Sequence, residues 1–183
     1  MLRLILPDTR YLASYVAALR EGFRIGVRAI PSEEEIQKIE QDPFDHLEGI
    51  NSQGGFFTPP DGIERKRVPY NDYWLVNETD FIGAISLRYE LNDFLEIHGG
   101  HIGYGVRPSM MRQGYAKKML ALGLLKMKAL CIERVFVTAD DDNPASWKAI
   151  ESNGGFLQDK APSIFHEGHV RRRYAIDLTK ENS

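Results

Sequence analysis

The chain of 183 residues has a single cysteine, Cys131, which excludes an intramolecular disulfide framework and a cysteine-rich zinc site. A reducing compartment, the cytoplasm, is therefore the expected location, and the thiol, flanked by Leu130 and Ile132, is expected in the core. No basic excess is present. Its 23 Lys and Arg stand against 26 Asp and Glu, a formal net charge of −3, which argues against nucleic acid as a partner and is compatible with a small cationic substrate. Long apolar runs are also missing: Pro7 and Asp8 break the run MLRLIL before a secretory segment or a membrane span is complete, so no membrane partner is expected. There are no internal repeats and no low-complexity segments. The P-loop pattern GxxxxGK[ST] is absent, and Gly103-Tyr104-Gly105 ahead of Arg107-Pro108 does not complete a GxGxxG fingerprint.

What is present is the composition of an ordinary globular protein, 43% hydrophobic and 27% charged, in a length that suits one domain, taken here as residues 1–183. Tyr11, Leu12, Tyr15, Val16, Leu19 and Phe23 recur every three or four residues and predict a helix over 10–28. The acidic SEEEIQKIEQ then predicts a weak helix, followed by a Gly/Pro-rich loop up to Pro69. YWLV and FIGAISLRY, joined by the turn-forming NETD, predict an antiparallel hairpin, and HIGYGV a further strand. A second apolar stripe runs over 116–130, and RVFVT reads as a strand buried on both faces. Asn143-Pro144 opens a helix that should end at Asn153-Gly154-Gly155, and VRRRYAIDL closes the chain as an alternating strand. The fold class is α/β, a mixed central sheet flanked by helices.

The segment from Tyr104 to Met127 carries the chemistry. A strand passes through Arg112-Gln113-Gly114 into an amphipathic helix, whose first amides lack intrahelical partners and sit at the positive end of the dipole. An anion fits there. Gly114 lets the backbone approach a phosphate, Ala116 keeps the first turn uncrowded, and Arg112 adds charge-assisted hydrogen bonds.

Gly114-Tyr115-Ala116 at this helix start, and NPASWKAIESNGGF after the next strand, resemble the two signature blocks of the GNAT superfamily of N-acetyltransferases. Met111 stands where the family has Arg or Gln, and one extra residue precedes Gly155-Phe156. The second block is similar to an uncharacterised branch reading NxASxxxIExNGG. The resemblance implies an acyl-CoA N-acyltransferase fold and transfer of an acetyl group from acetyl-CoA directly to an amine of a small molecule or protein, without metal. It implies that Tyr104, Gly105 and Val106 hold the pantetheine arm through their backbone. The pyrophosphate would lie on Arg112, Gln113, Gly114, Tyr115, Ala116 and Lys117, with Asn143 and Ser146 near the sulfur.

Neither of the family's usual proton-transfer positions is filled. The base position falls on Gly100 and the acid position on Ile150. Glu96, by strand alternation, or His101, given a bulge at Gly99-Gly100, could serve as base; a solvated charge and a structural histidine are the competing readings. For the acid, Tyr104, Tyr115, Tyr174 and unassisted departure of the thiolate all stay open. His166 and His169 lack a third metal ligand, and Asp140 to Asp142 are explained by the helix that follows them. The two empty positions also motivate a non-catalytic acyl-CoA sensor. The sequence leaves the acceptor and the oligomeric state, homodimer included, undetermined.

Overall fold

The computed structural model describes residues 1–179. Seven strands form one sheet: β1 (Arg3–Ile5), β4 (Tyr70–Val76), β5 (Phe81–Arg88), β6 (Ile102–Val106), β7 (Arg134–Asp140), β8 (Phe156–Pro162) and β9 (Val170–Asp177). Their order is β1-β4-β5-β6-β7-β9-β8, while β2 (Phe56–Phe57) and β3 (Arg65–Lys66) pair separately. The helices are α1 (Leu12–Arg20), α2 (Glu33–Gln41), α3 (Pro43–Ile50), α4 (Asp93–His98), α5 (Tyr115–Ala129) and α6 (Pro144–Glu151). All strand pairs are antiparallel except β6 and β7, which run parallel across the α5 connection. This is the mixed sheet flanked by helices that the patterning predicts. No helix among the described residues is long and apolar enough to cross a membrane.

The two faces of the sheet are covered unequally. Leu75, Ile85, Leu87, Ile102, Val135 and Val137 pack with Met119, Leu120 and Met127 of α5 and with Ile150 of α6 in one core. On the opposite face Trp74, Val76, Phe81 and Ala84 pack under Tyr15, Val16, Leu19, Ile36 and Ile39 of α1 and α2. That cover stops short of the sheet centre, where Asp72, Ser86 and Arg88 take the positions that Trp74 and Ala84 hold further along.

Several expectations are corrected. The first helix ends at Arg20 rather than Arg28, because Gly22 turns left-handed (φ 88°). The Phe23 and Gly22 amides then close on the Ala18 and Leu19 carbonyls, and Phe23 tucks into the core as the apolar cap of the turn. The α5 terminus repeats this with Cys131 in the left-handed position (φ 59°), its amide on Lys128 and that of Ile132 on Met127. Cys131 is therefore exposed, not core, since a residue at this turn points outward. The segment expected as one weak helix and a loop holds two helices, the first opened by a Ser32/Glu35 capping box and the second by Asp42 and Pro43, and then the β2–β3 pair. β7 alternates instead of being buried on both faces: Val135, Val137 and Ala139 face the α5 core, while Phe136, Thr138 and Asp140 are half-buried on the other side. Strands β1 and β8 are too short or too polar to be read from the pattern, and the six-residue α4 is marked only by its Asn92-Asp93 start.

Candidate active site

The parallel strands β6 and β7 register at one position, Ile102 with Val137, and diverge beyond it. His101 clamps their closed end: its amide donates to the Phe136 carbonyl (2.7 Å) and its Nδ1 accepts the Phe136 amide (3.0 Å). Past that point the strands enclose a cleft of about 1300 Å³. The Arg88 amide donates to His101 and the Arg107 amide to Ile82, which fixes the alternation of the β5–β6 ladder. The backbone groups of Tyr104 and Val106 consequently turn away from β5, toward the opening. Gly26 crosses the strand there, its amide donating to the Tyr104 carbonyl (3.2 Å), so the chain after α1 forms one wall.

At one end of the cleft lies the turn into α5. Arg107 pins the chain before it, through Nε to Glu21 Oε1 (2.8 Å) and NH1 to Ser14 Oγ (3.0 Å), and the Ser109 amide donates to the same carboxylate (3.0 Å). Arg107 holds the Glu21 carboxyl down to about 2. Arg112 (φ 62°) and Gly114 (φ 79°) then adopt left-handed backbone, and Gly114 starts the helix without a side-chain cap. Among the described residues, no acceptor meets the amides of residues 112 to 117, and the first helical bond is from Lys118 to Gly114. Consecutive free amides at a helix start form a concave anion site.

Most of the residues expected to hold a cofactor meet here. Tyr104, Gly105, Val106, Arg112, Gly114, Tyr115, Ala116, Lys117, Asn143 and Ser146 all line the cleft. Gln113 does not; its side chain is exposed on the outer side of the turn. Asn143 spends its side-chain oxygen on the Ser146 amide (3.1 Å) as the cap of α6. Ser146 Oγ pairs with the Tyr104 hydroxyl at 2.9 Å, and burial pushes the Tyr104 phenol up to about 12, so it keeps its proton at neutral pH.

The candidate bases fare differently. Strand alternation cannot place Glu96, because Asn92 caps a helix over 93–98 and leaves Glu96 exposed outside the cleft. His101 is buried between the strands and stacked on Phe136, and burial, with Arg88 nearby, pulls its pKa down to about 4. It is the structural histidine of the two readings. Gly100 is fixed as glycine: a β-carbon there would lie 2.4 Å from the Phe136 carbonyl, so no carboxylate fits the family position. Ile150 is fully buried, and Tyr174 is a core residue whose hydroxyl donates to Glu151 (2.8 Å).

His98 was missed. It lies at the end of α4 and lines the cleft opposite the amide turn, beside Phe94. Burial and then Arg171 lower its pKa, so the ring is neutral at pH 7 and able to accept a proton. Nearby, Thr138 Oγ1 approaches the His98 carbonyl (3.4 Å) and accepts from Arg171 (2.7 Å). Only the α4 helix signal at Asn92-Asp93 could have revealed His98. His166 and His169 are ring neighbours, His169 pairs with Asp142, and the described residues contain no group of three or more potential metal ligands. Arg171 and Arg173 occupy one face of β9 and Arg172 the other, each paired with an aspartate, as structural strand residues would be.

The chain superposes with a TM-score of 0.63 on AAC(6')-Ib in complex with ribostamycin and coenzyme A, at 12% identity, covering 100% of this chain and 99% of that one. For the spermidine/spermine N-acetyltransferase SpeG from Vibrio cholerae the TM-score is 0.60, at 14% identity over 97% and 94% of the two chains. For an acetyl transferase from Salmonella typhimurium that modifies the N-terminal serine of ribosomal protein L7/L12 it is 0.62, at 16% identity over 97% and 95%. At such identities the likeness is one of fold. No protein of curated function matches the sequence. Residues 30–155, however, match the model of the acetyltransferase (GNAT) domain, a stretch containing both the amide turn and the capped α6, and the chain belongs to that family.

Proposed function

We propose that the protein transfers an acetyl group from acetyl-CoA directly to the amine of a small molecule or protein. The observation that carries this is the run of free amides at 112–117, opened by two left-handed residues and ending in a helix start. Those amides, with Arg112 and Lys117, would hold the diphosphate, and the outward backbone of Tyr104 and Val106 the pantetheine arm. Acetyl-CoA supplies an acyl group activated as a thioester. The residues fit it without a metal.

A protonated amine is no nucleophile, so His98 takes the proton that nitrogen must lose before the N–C bond forms. In this reading the Val106 amide, which faces the opening, stabilises negative charge on the carbonyl oxygen. The Tyr104–Ser146 hydroxyl pair donates a proton to sulfur as the C–S bond breaks, in place of the tyrosine that Ile150 replaces. Against this stands the reading as a sensor that binds acyl-CoA without chemistry, favoured by Gly100 and the buried Ile150.

Calorimetry with acetyl-CoA and thiol release with a panel of amines separate the two. Binding with turnover is the expected outcome, and binding without turnover on any amine would establish the sensor. Gly114→Trp should weaken acetyl-CoA binding by at least about 100-fold; no atom lies within 4 Å of a β-carbon there, and the strain of a side chain at φ 79°, about 1–2 kcal/mol, is too small to unfold the domain. An unchanged affinity in that variant would remove the amide turn from the site.

A further inference from the structure

The end of the cleft beyond His98 is cationic, although the whole chain is acidic. Arg28, Arg67, Arg88 and Arg171 line it. Arg28 is held by Asp72 in a two-pronged pair and donates to Ser86 (3.2 Å), and Arg171 lies 3.3 Å from Asp140. Among the described residues, Arg67 and Arg88 have no carboxylate within ion-pair distance. Arg88 uses one of its five donors, NH1 to the Gly100 carbonyl (2.9 Å), and its NH2 reaches toward Gly103 on the cleft wall. Burial, together with Arg28, draws its pKa down to about 10, so it stays charged at neutral pH but without a counterion.

An arginine withdrawn from water and left unpaired costs stability, and proteins keep such groups where a ligand completes them. The planar fork matches a carboxylate or phosphate. Apolar rings of Phe57, Phe94 and Phe165 stand around the same space, and Arg67 lies over Phe57 (5.8 Å), which keeps the local dielectric low. Arg88 donates to the carbonyl of Gly100, two residues from His98, and both side chains line the same cleft, which suits an acceptor whose anion and amine belong to one small molecule. A polycation would meet like charge here.

We infer that the acceptor is a small zwitterion, an amine carrying a carboxylate or phosphate a few bonds away, with Arg88 and Arg67 as its anion-binding residues. This rests on the acetyltransferase reading above and narrows the acceptor beyond what net charge allows. The test is thiol release by the full-length protein with amino acids, their methyl esters, aminoethyl phosphate, ethanolamine and spermidine, alongside acetyl-CoA calorimetry. The anionic amines should show KM values at least ten-fold below those of their neutral counterparts, and the better of the carboxylate and phosphate arms identifies the natural group. Arg88→Gln should raise KM for the anionic acceptors at least ten-fold, leaving KM for the neutral ones and the acetyl-CoA affinity unchanged. Arg67→Ala, which breaks no hydrogen bond to the backbone, should raise it a few-fold and carries the test if Arg88→Gln folds poorly. Equal use of esters, ethanolamine or spermidine, or unaltered KM in both variants, would overturn the inference, whereas a wild-type protein that fails to bind acetyl-CoA would instead overturn the activity on which it rests.

Discussion

The two ends of the cleft are built from different materials. The α5 end consists of main-chain amides from six consecutive residues, held by a pinned loop and two left-handed turns. The His98 end consists of side chains from distant segments, with Arg28 from the wall after α1, Arg88 from β5, His98 from α4, Thr138 from β7 and Arg171 from β9. A backbone site tolerates side-chain drift as long as the turn is kept, whereas a side-chain site can be rebuilt for each acceptor without touching the fold. The family match over residues 30–155 spans both ends, so it is the local build, and not the extent of the match, that sets them apart.

The contrast can be broken most directly at His98. His98→Gln should lower kcat on the order of 10²- to 10⁴-fold and leave acetyl-CoA affinity intact. Because burial lowers the His98 pKa, wild-type activity should fall as pH drops below about 6.5, the ordinary histidine value, and the variant should lose that acidic limb. Retained activity with an unchanged limb would move the base elsewhere.

The second measurement concerns the histidine three residues away, which belongs to the scaffold. His101 has a folded pKa of about 4 against about 6.5 unfolded, so its contribution is fully present above pH 6.5 and is lost as pH falls from there toward 4. Denaturation across that window should show roughly 3 kcal/mol of lost stability, with the slope flattened in His101→Asn, whose side-chain oxygen can still accept the Phe136 amide. An unaltered slope in the variant would assign the loss to other groups. The smallest effect is expected at the α5 end: Gln113→Ala should change acetyl-CoA affinity by less than about two-fold, because that residue contributes an amide and not its exposed side chain. A loss of ten-fold or more would mean that the turn works through side chains after all.

Local rules made the α5 end legible. Free amides, a glycine before an amphipathic stripe and an Asn-Pro cap depend on neighbours in the chain, so their geometry can be read from residues a few positions apart. The histidine that lines the cleft was not legible for the same reason in reverse. Glu96 follows from strand alternation carried back through residue 96, and His101 from a bulge at Gly99-Gly100, but the Asn92 cap turns 93–98 into a helix, carrying Glu96 outward and His98 into the cleft. Cys131 teaches a similar lesson, since its apolar neighbours suggested burial while the left-handed turn at the end of α5 sets it on the surface.

By itself the sequence determined the alternation of strands and helices, the amide turn at 112–117 and the lack of a family carboxylate or tyrosine at Gly100 and Ile150, because each follows from residue type and short-range spacing. Only the tertiary structure decided where β6 and β7 part, which histidine enters the opening and which arginines keep a partner. Those outcomes depend on which side chains meet across residues far apart in the chain, and neither net charge nor periodicity contains that information.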